Sequence, residues 1–244
     1  MLIFYFLFAN QYIVQIYDLW MGFNNTNYSN NVAKNWEQMP SFFLYFQLKI
    51  SNSPARKSMA LWILSNRKDI RILPILKSII RKEDVELNRT AILSLVKFSK
   101  EEAVPTLMHI VDKYKHFRFN DANKNTWKSH DSYLNALEGL AILKEERIFL
   151  IVTDLAINGT ESDKNFAFNR LLHHYDNYKE EVLPLYLERL KTESKYKGTI
   201  IESIAKLKCP AAIPILKDLA EREPWNRMEA EKAIKYLESL KTIK

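Results

Sequence analysis

Glycine is scarce in this sequence, which contains only four glycines in 244 residues. A phosphate-binding loop, a dinucleotide-binding fold and a β-sandwich with many tight turns all depend on more glycine than this. The sequence also contains no H-E-x-x-H, CxxC, G-x-S-x-G or P-loop pattern. These absences argue against the common metalloenzyme, hydrolase and nucleotide-binding classes, and we expect no cofactor and no bound metal.

Cysteine is nearly absent as well, since Cys209 is the only one. A single cysteine excludes an internal disulfide framework and favours a reducing compartment, so we expect a cytoplasmic protein. Cys209 directly precedes Pro210 at a predicted turn, and no histidine or acidic residue lies near it in the sequence. It is therefore expected to be a buried, unreactive thiol rather than a nucleophile.

Residues 209–240 have the clearest organisation in the chain and predict two short amphipathic helices joined by a turn. Two apolar stripes at helical spacing mark these helices: Ile213, Leu216, Leu219 and Ala220 in the first, and Ala230, Ala233, Ile234, Leu237 and Leu240 in the second. Pro214 lies in the first turn of the first helix, where a missing N–H is tolerated, and Pro224 ends that helix. Neither helix can bury its stripe alone, so the pair is expected to stack on a similar neighbour.

Weaker copies of this helix pair recur upstream. Pro74, Pro105 and Pro184 occupy the position of Pro214, and Leu150 occupies it in a copy that has no proline. The steps between successive positions are 31, 45, 34 and 30 residues. A period of about 30 residues built from paired helices predicts an all-α protein organised as an α-solenoid.

These residues resemble the HEAT-like repeat family, in particular its short bacterial form, in which an A-x-P-x-L-x-x-L helix precedes an R-x-x-A-x-x-A-L helix. Arg227, Ala230 and Ala233 carry the second pattern, and Arg56 and Arg89 begin similar runs upstream. The resemblance covers roughly residues 40–240 and implies a right-handed α-solenoid of about six antiparallel helix pairs. It implies no single function, because such repeats serve scaffolds, lyases, nucleic-acid binders and regulators alike.

The helix pairs are expected at 40–51 with 54–66, 69–81 with 85–98, 101–115 with 131–143, 146–157 with 162–176, 178–191 with 194–207, and within 209–240. Ser53 is the expected N-cap of the helix at 54–66, with Pro54 at its first position. The repeat domain then spans residues 36–244, and an insert at about residues 116–130 accounts for the long step.

Residues 1–35 comprise a strongly apolar segment followed by an Asn-rich loop. A secretory signal needs a basic start and a clear small-residue cleavage site, and neither is present. A membrane span needs about 18 clean apolar residues, whereas Asn10, Gln15 and Asp18 interrupt the run. The favoured interpretation is a capping helix that covers the open end of the repeats, and a membrane partner is not expected.

Positive charge is concentrated in one part of the chain. The formal net charge is +7, yet residues 49–128 alone hold 17 Lys and Arg against 8 Asp and Glu, a balance of +9. A basic surface favours an acidic partner such as an acidic protein, nucleic acid or an anionic membrane surface. Many lysine-rich chains, however, are basic without having such a partner.

The insert combines aromatic and basic residues, and inserts in repeat proteins often lie on the binding face. In the HEAT-like fold the second helices line the concave side, so their basic residues are candidates as well. The expected partner-binding residues are Arg56, Lys57, Arg89, Phe117, Arg118, Phe119, Lys124, Trp127 and Lys128. The alternative for Arg56, Arg89 and Arg227 is a structural role, in which they bind helix-end carbonyls or pair with acids of the adjacent repeat.

Trp127 and Asp131 have a W-x-x-x-D spacing that is similar to that of the HEAT-like alkylpurine DNA glycosylases. That resemblance implies a catalytic Asp131 that stabilises oxocarbenium character, and an aromatic face that attracts the cationic base. The second catalytic tryptophan of that family has no counterpart here, and its arginine corresponds to Arg170 only after a register shift.

His173 and His174 are adjacent on a predicted helix, so their side chains are expected to point about 100° apart, which disfavours a shared metal.

Two functions are therefore expected from the sequence. The leading one is a non-enzymatic scaffold or adaptor that binds a macromolecular partner, most readily a protein, through a concave and partly basic face and the aromatic insert. The alternative is a DNA- or RNA-binding protein, with alkylpurine glycosylase activity as its sharpest form.

Overall fold

The structure is a computed structural model that describes residues 36–115, 124–192 and 197–240, with the backbone alone described for residues 124–128. Throughout these ranges the regular structure is helical, and no strand occurs in them. The expected all-α class is confirmed. No helix within the same ranges is both long and apolar enough to cross a membrane.

The chain divides into two compact units, residues 1–76 and 77–244. In the described part of the first unit, α1 (Ser41–Ile50) packs against α2 (Pro54–Asn66). Pro54 begins α2 as expected, because a proline at the first helical position gives up no intrahelical hydrogen bond. Ser53 lies at the N-cap position, but its side chain makes no capping hydrogen bond.

A third helix, α3 (Leu73–Lys82), crosses the boundary between the two units. The remaining helices lie in the second unit: α4 (Asn88–Leu95), α5 (Lys100–Tyr114), α6 (Lys124–Ile142), α7 (Phe149–Asn158), α8 (Glu161–Phe166), α9 (Lys179–Thr192), α10 (Lys197–Lys206), α11 (Ile213–Arg222) and α12 (Arg227–Ser239). A π-helical turn, Ala167–Leu171, continues α8 directly.

Within the second unit, helices that follow one another in the chain pack as pairs: α5 with α6, α7 with α8, α9 with α10, and α11 with α12. The second helices of successive pairs also contact one another. The π turn that continues α8 contacts both α6 and α10, α4 contacts α6, and α10 contacts α12. We call α4, α6, α8 with its π turn, α10 and α12 the second-helix row.

The junction between one pair and the next has the same backbone at three places in the chain. Lys68, Lys144 and Lys208 each follow a second helix and have φ values of 55°, 52° and 56°. A left-handed backbone is uncommon for a residue other than glycine, so its recurrence at matching positions is informative. Each lysine is followed after one residue by a 3₁₀ turn, and that turn leads into the first helix of the next pair.

Buried apolar residues recur at fixed distances from the three junction lysines. Leu64, Leu140 and Ile204 precede the three lysines by the same distance, and all three are fully buried. Leu76, Val152 and Leu216 follow the lysines at matching positions and are fully buried too. The sequence thus places a buried apolar side chain at a fixed distance before and after each of these three junctions.

Helices α5 and α9 match the helices predicted at 101–115 and 178–191 to within one residue, but the predicted position of their prolines was wrong. Pro105 and Pro184 lie inside α5 and α9 rather than in their first turns. Both prolines are exposed, as are Glu101 and Glu180, whose carbonyls lose the hydrogen bond that proline cannot donate. Exposure lets water satisfy those carbonyls, so the helices continue through the prolines.

Two helix ranges also differ from prediction. Helix α6 begins at Lys124, before the predicted start at 131, because no proline or glycine lies between these positions to interrupt a helix. The helix predicted at 162–176 is α-helical only to Phe166 and continues as the π turn and a 3₁₀ turn, Leu172–His174.

Gly139 allows α6 to approach α4 and α5 closely. A Cβ atom at this position would lie 2.7 Å from Ile92 Cγ2 and 2.9 Å from Leu107 Cδ1. We expect Gly139→Ala to lower the free energy of unfolding by about 1 kcal/mol, because overpacking of about 2 kcal/mol outweighs a gain in helix propensity of about 1 kcal/mol. Urea denaturation measures this change.

Gly198→Ala is the matched control for that substitution. Its Cβ would meet only Glu229 Cγ at 3.5 Å, an ordinary contact, so this variant is expected to be neutral or slightly stabilised. A Gly139→Ala variant as stable as Gly198→Ala would contradict the close packing of α6.

Candidate partner-binding face

The insert residues predicted to bind a partner fall largely outside the described structure. Phe117, Arg118 and Phe119 lie outside the described residues. Lys124, Trp127 and Lys128 lie in the first turns of α6, with only their backbone described. The predicted roles of these six residues therefore stay predictions.

Four of the predicted site residues have described side chains, and these four residues are divided between the two units. Arg56 and Lys57 are half-buried on α2, in the first unit. Arg89 lies exposed on α4, and Asp131 lies exposed on α6, both in the second unit. The glycosylase-like role of Asp131 stays a prediction, since its partner Trp127 has no described side chain.

Arg89 and Arg170 meet at a buried carboxylate in the middle of the second-helix row. Glu138 projects from α6, Arg89 from α4 and Arg170 from the π turn. Arg89 Nη2 lies 3.3 Å from Glu138 Oε1, and Arg170 Nε lies 3.4 Å from the same oxygen. Glu138 is 7 % exposed, so its charge is stabilised inside the protein by two guanidinium groups.

Further polar contacts join α6 to its neighbours in the row. Asn88 Nδ2 donates to Ser132 Oγ at 2.8 Å, which links α4 to α6. His130 Nε2 lies 2.8 Å from Asp163 Oδ1, which links α6 to α8. Because buried polar groups need partners, these contacts fix how the second helices lie beside one another.

Asp163 also caps its own helix. Its side chain accepts hydrogen bonds from the N–H and hydroxyl of Thr160, while Thr160 Oγ1 accepts the N–H of Asp163. Burial alone raises the pKa of Asp163, but the hydrogen bonds from His130 and Thr160 outweigh it and leave this pKa below its usual value. The carboxylate is therefore ionised at neutral pH and holds the contact to His130.

The histidine pair differs from the sequence expectation. His173 and His174 lie on the 3₁₀ turn after the π turn, and their ring centroids are 4.2 Å apart, so the side chains do not diverge. Burial lowers the pKa of His173 to about 4, with further contributions from His174 and Lys206. Burial likewise lowers the pKa of His174. Both rings are therefore neutral at physiological pH.

Two of the three repeat arginines, Arg227 and Arg89, make the structural contacts that were the alternative to partner binding. Arg227 Nε donates to the carbonyl of Ala220 at 3.1 Å, near the end of α11. Arg89 pairs with an acid of the following helix pair, Glu138. For Arg89 the two roles are compatible, because 46 % of its side chain is still exposed.

The described structure also shows the environment of the single cysteine and of the candidate metal ligands. Cys209 is buried, as expected from its position. Among the described residues, no group of three or more His, Cys, Asp and Glu side chains is arranged to hold a metal ion.

Glu138 and Arg170 were not among the predicted binding residues. A signal for Glu138 existed in the sequence, since it interrupts the apolar run of Leu134, Leu137 and Ala141 on α6. An acid amid core positions indicates a buried partner of opposite charge. The position of Arg170 had no such signal, because it depends on the π turn.

Comparisons of the chain with models of known protein families, with curated proteins and with solved structures found no match. The geometry of the second-helix row is therefore the basis for a functional proposal.

Proposed function

We propose that the chain is a HEAT-like α-solenoid scaffold that binds a protein partner through its second-helix row and carries out no chemistry of its own. Three features support the repeat assignment: the recurring junctions at Lys68, Lys144 and Lys208, the recurring buried positions, and the packing of helices as successive pairs. Repeats that each contact only their neighbours form extended surfaces suited to macromolecular partners.

The observation that carries the proposal is the charge arrangement on the row. Arg89 and Arg170, from two different helix pairs, are held at one place by Glu138 and keep 46 % and 40 % of their side chains exposed. Arginine is enriched at the energetic centres of protein interfaces, where its rigid donors are ready to bind. An arginine pair that is held in position on a repeat surface is thus well suited to form a central contact with a partner protein.

Site-specific photocrosslinking tests which face the partner contacts. A photoreactive benzoylphenylalanine replaces either Glu202, on the second helix α10, or Glu188, on the first helix α9 of the same pair. The two positions are matched, since both glutamates are exposed and pair with a lysine of their own helix, Lys206 and Lys191. In an extract of the source cells, we expect a discrete protein adduct at position 202 and a much weaker one at position 188.

Other results would contradict the proposal. Equal adducts at both positions, or an adduct at 188 alone, would place the partner elsewhere. An adduct at 202 that is destroyed by nuclease and resists protease would favour the nucleic-acid alternative.

A further inference from the structure

Glu138 is buried, whereas the two arginines that contact it are partly exposed to solvent. The side chain of Glu138 is 9 % exposed, whereas those of Arg89 and Arg170 are 46 % and 40 % exposed. The carboxylate therefore lies beneath the two guanidinium groups, and their outer edges face solvent. A buried carboxylate positions nearby arginines, because leaving its charge unpaired would be costly.

The two arginines keep unused donors. Each guanidinium carries five N–H groups. Arg89 uses Nη2, which lies 3.3 and 3.5 Å from the two oxygens of Glu138, and Arg170 points Nε at Oε1. Among the described residues, no acceptor is bound by Nη1 of Arg89 or by either Nη of Arg170. These groups are free to bind a second acceptor.

Arg170 is further restrained by an aromatic ring. Its guanidinium carbon lies 5.6 Å from the ring centroid of Phe166, one helical turn earlier. Cation–π contact and the Glu138 contact together limit the conformations of the side chain. A ligand that binds Arg170 therefore loses less conformational entropy than one that must order a free arginine.

The site has an excess of positive charge over its surroundings. Two guanidinium groups and one carboxylate leave a net charge of +1. Two cations that act on His174 together with Glu138 are paired with acids, since Lys144 pairs with Asp176 and Lys206 pairs with Glu202. These two lysines therefore do not add to the excess positive charge of Arg89 and Arg170.

The number and geometry of these contact points favour one of two classes of acidic ligand. A nucleic acid binds through many phosphate contacts made by a continuous basic surface. Arg89 and Arg170 instead offer one pair of contact points around Glu138. A carboxylate side chain, in contrast, matches a pair of guanidinium forks through bidentate hydrogen bonds.

We propose that Arg89 and Arg170 together bind a glutamate or aspartate carboxylate in an acidic segment of the partner protein. The bound carboxylate lies on the solvent side of the two guanidinium groups, opposite Glu138. This assignment rests on the proposed function, in which the second-helix row contacts a protein.

The test uses a fluorescein-labelled octaglutamate peptide and fluorescence anisotropy with the full chain. Replacing both arginines (Arg89→Gln with Arg170→Gln) is expected to weaken binding about tenfold, since charge-assisted hydrogen bonds are lost. The control replaces Lys191→Gln and Lys217→Gln, two exposed lysines of the first helices α9 and α11, and changes the net charge equally. We expect this control to change binding less than about twofold, because distant surface charges are screened. Circular dichroism of each variant verifies that it is folded.

A charge-preserving variant separates geometry from charge. Arg89→Lys with Arg170→Lys keeps the net charge but removes the planar forks, so binding is expected to weaken here as well. The proposal would be overturned if the arginine-to-glutamine variant and the lysine control lost affinity for octaglutamate equally. It would also be overturned if the arginine-to-lysine variant bound the peptide as tightly as the unmodified chain. Tighter binding of labelled duplex DNA that depends on both arginines would overturn the assigned ligand class.

Failure of this proposal is distinguishable from failure of the proposed function. A strong adduct at position 202 that is unchanged by replacement of the arginines would refute the carboxylate site alone. Octaglutamate binding that needs both arginines, without any adduct at 202, would refute the protein-binding function alone.

Discussion

Replacing Leu140 with alanine is expected to lower the free energy of unfolding of the second unit by about 3 kcal/mol. Leu140 lies on α6 and is fully buried, and α6 contacts α4, α5 and the π turn that continues α8. Truncation removes the transfer free energy of the lost methyl groups and leaves a cavity that the surrounding helices cannot fill. Urea denaturation followed by circular dichroism measures the change.

Two further substitutions make this result specific. Ile204 is the equivalent buried residue of a later helix pair, so Ile204→Ala is expected to have a similar cost of about 3 kcal/mol. Leu150 is 77 % exposed on α7, and Leu150→Ala is expected to change stability by less than about 0.5 kcal/mol. Similar small changes in all three variants would contradict the packing of the second-helix row.

Lowering the pH from 8 to 5 is expected to reduce the free energy of unfolding by about 1.5 kcal/mol through His173 alone. Burial holds the pKa of His173 at about 4 in the folded protein, whereas an exposed histidine has a pKa of 6.5. Between these values the unfolded chain binds a proton that the folded chain does not, so acidification favours unfolding. Above about pH 8 the imidazole is neutral in both states and the effect vanishes. The magnitude is reduced for the part of the ring that solvent reaches.

The His173→Gln variant tests the assignment of this pH dependence. Glutamine keeps a polar side chain of similar size but does not titrate, so the decrease between pH 8 and pH 5 should shrink by about 1.5 kcal/mol. Carboxylates with lowered pKa, such as Asp163 and Glu145, destabilise the protein only when the pH falls towards 4, where they become protonated in the unfolded chain. An unchanged pH profile in His173→Gln would show that His173 is not buried as described.

Much of the helical organisation could be predicted because it depends on local sequence. Pro54 and the apolar periodicity of α2 define that helix within its own residues. The helix pair at the C-terminal end is similarly local, since Pro210, Pro214 and Pro224 lie where helices or turns begin. Patterns of this kind need no knowledge of tertiary contacts.

The features that sequence did not predict depend on neighbouring helices. No glycine or proline marks the π turn at Ala167–Leu171. Its conformation places Arg170 near Glu138, and the close contact of the His173 and His174 rings follows from the 3₁₀ turn after it. The effect of the prolines also depends on exposure, because Pro105 is tolerated inside α5 where it and Glu101 are both exposed.

The most direct test of the central claim, that the second-helix row contacts the partner, is the ratio of crosslinked product at position 202 to that at position 188. We predict a ratio of about ten or more in the otherwise unmodified chain, and a clear decrease when Arg89 and Arg170 are both replaced by glutamine. A ratio of about one in the unmodified chain would contradict the claim, because the partner would then contact the first helices as readily as the second.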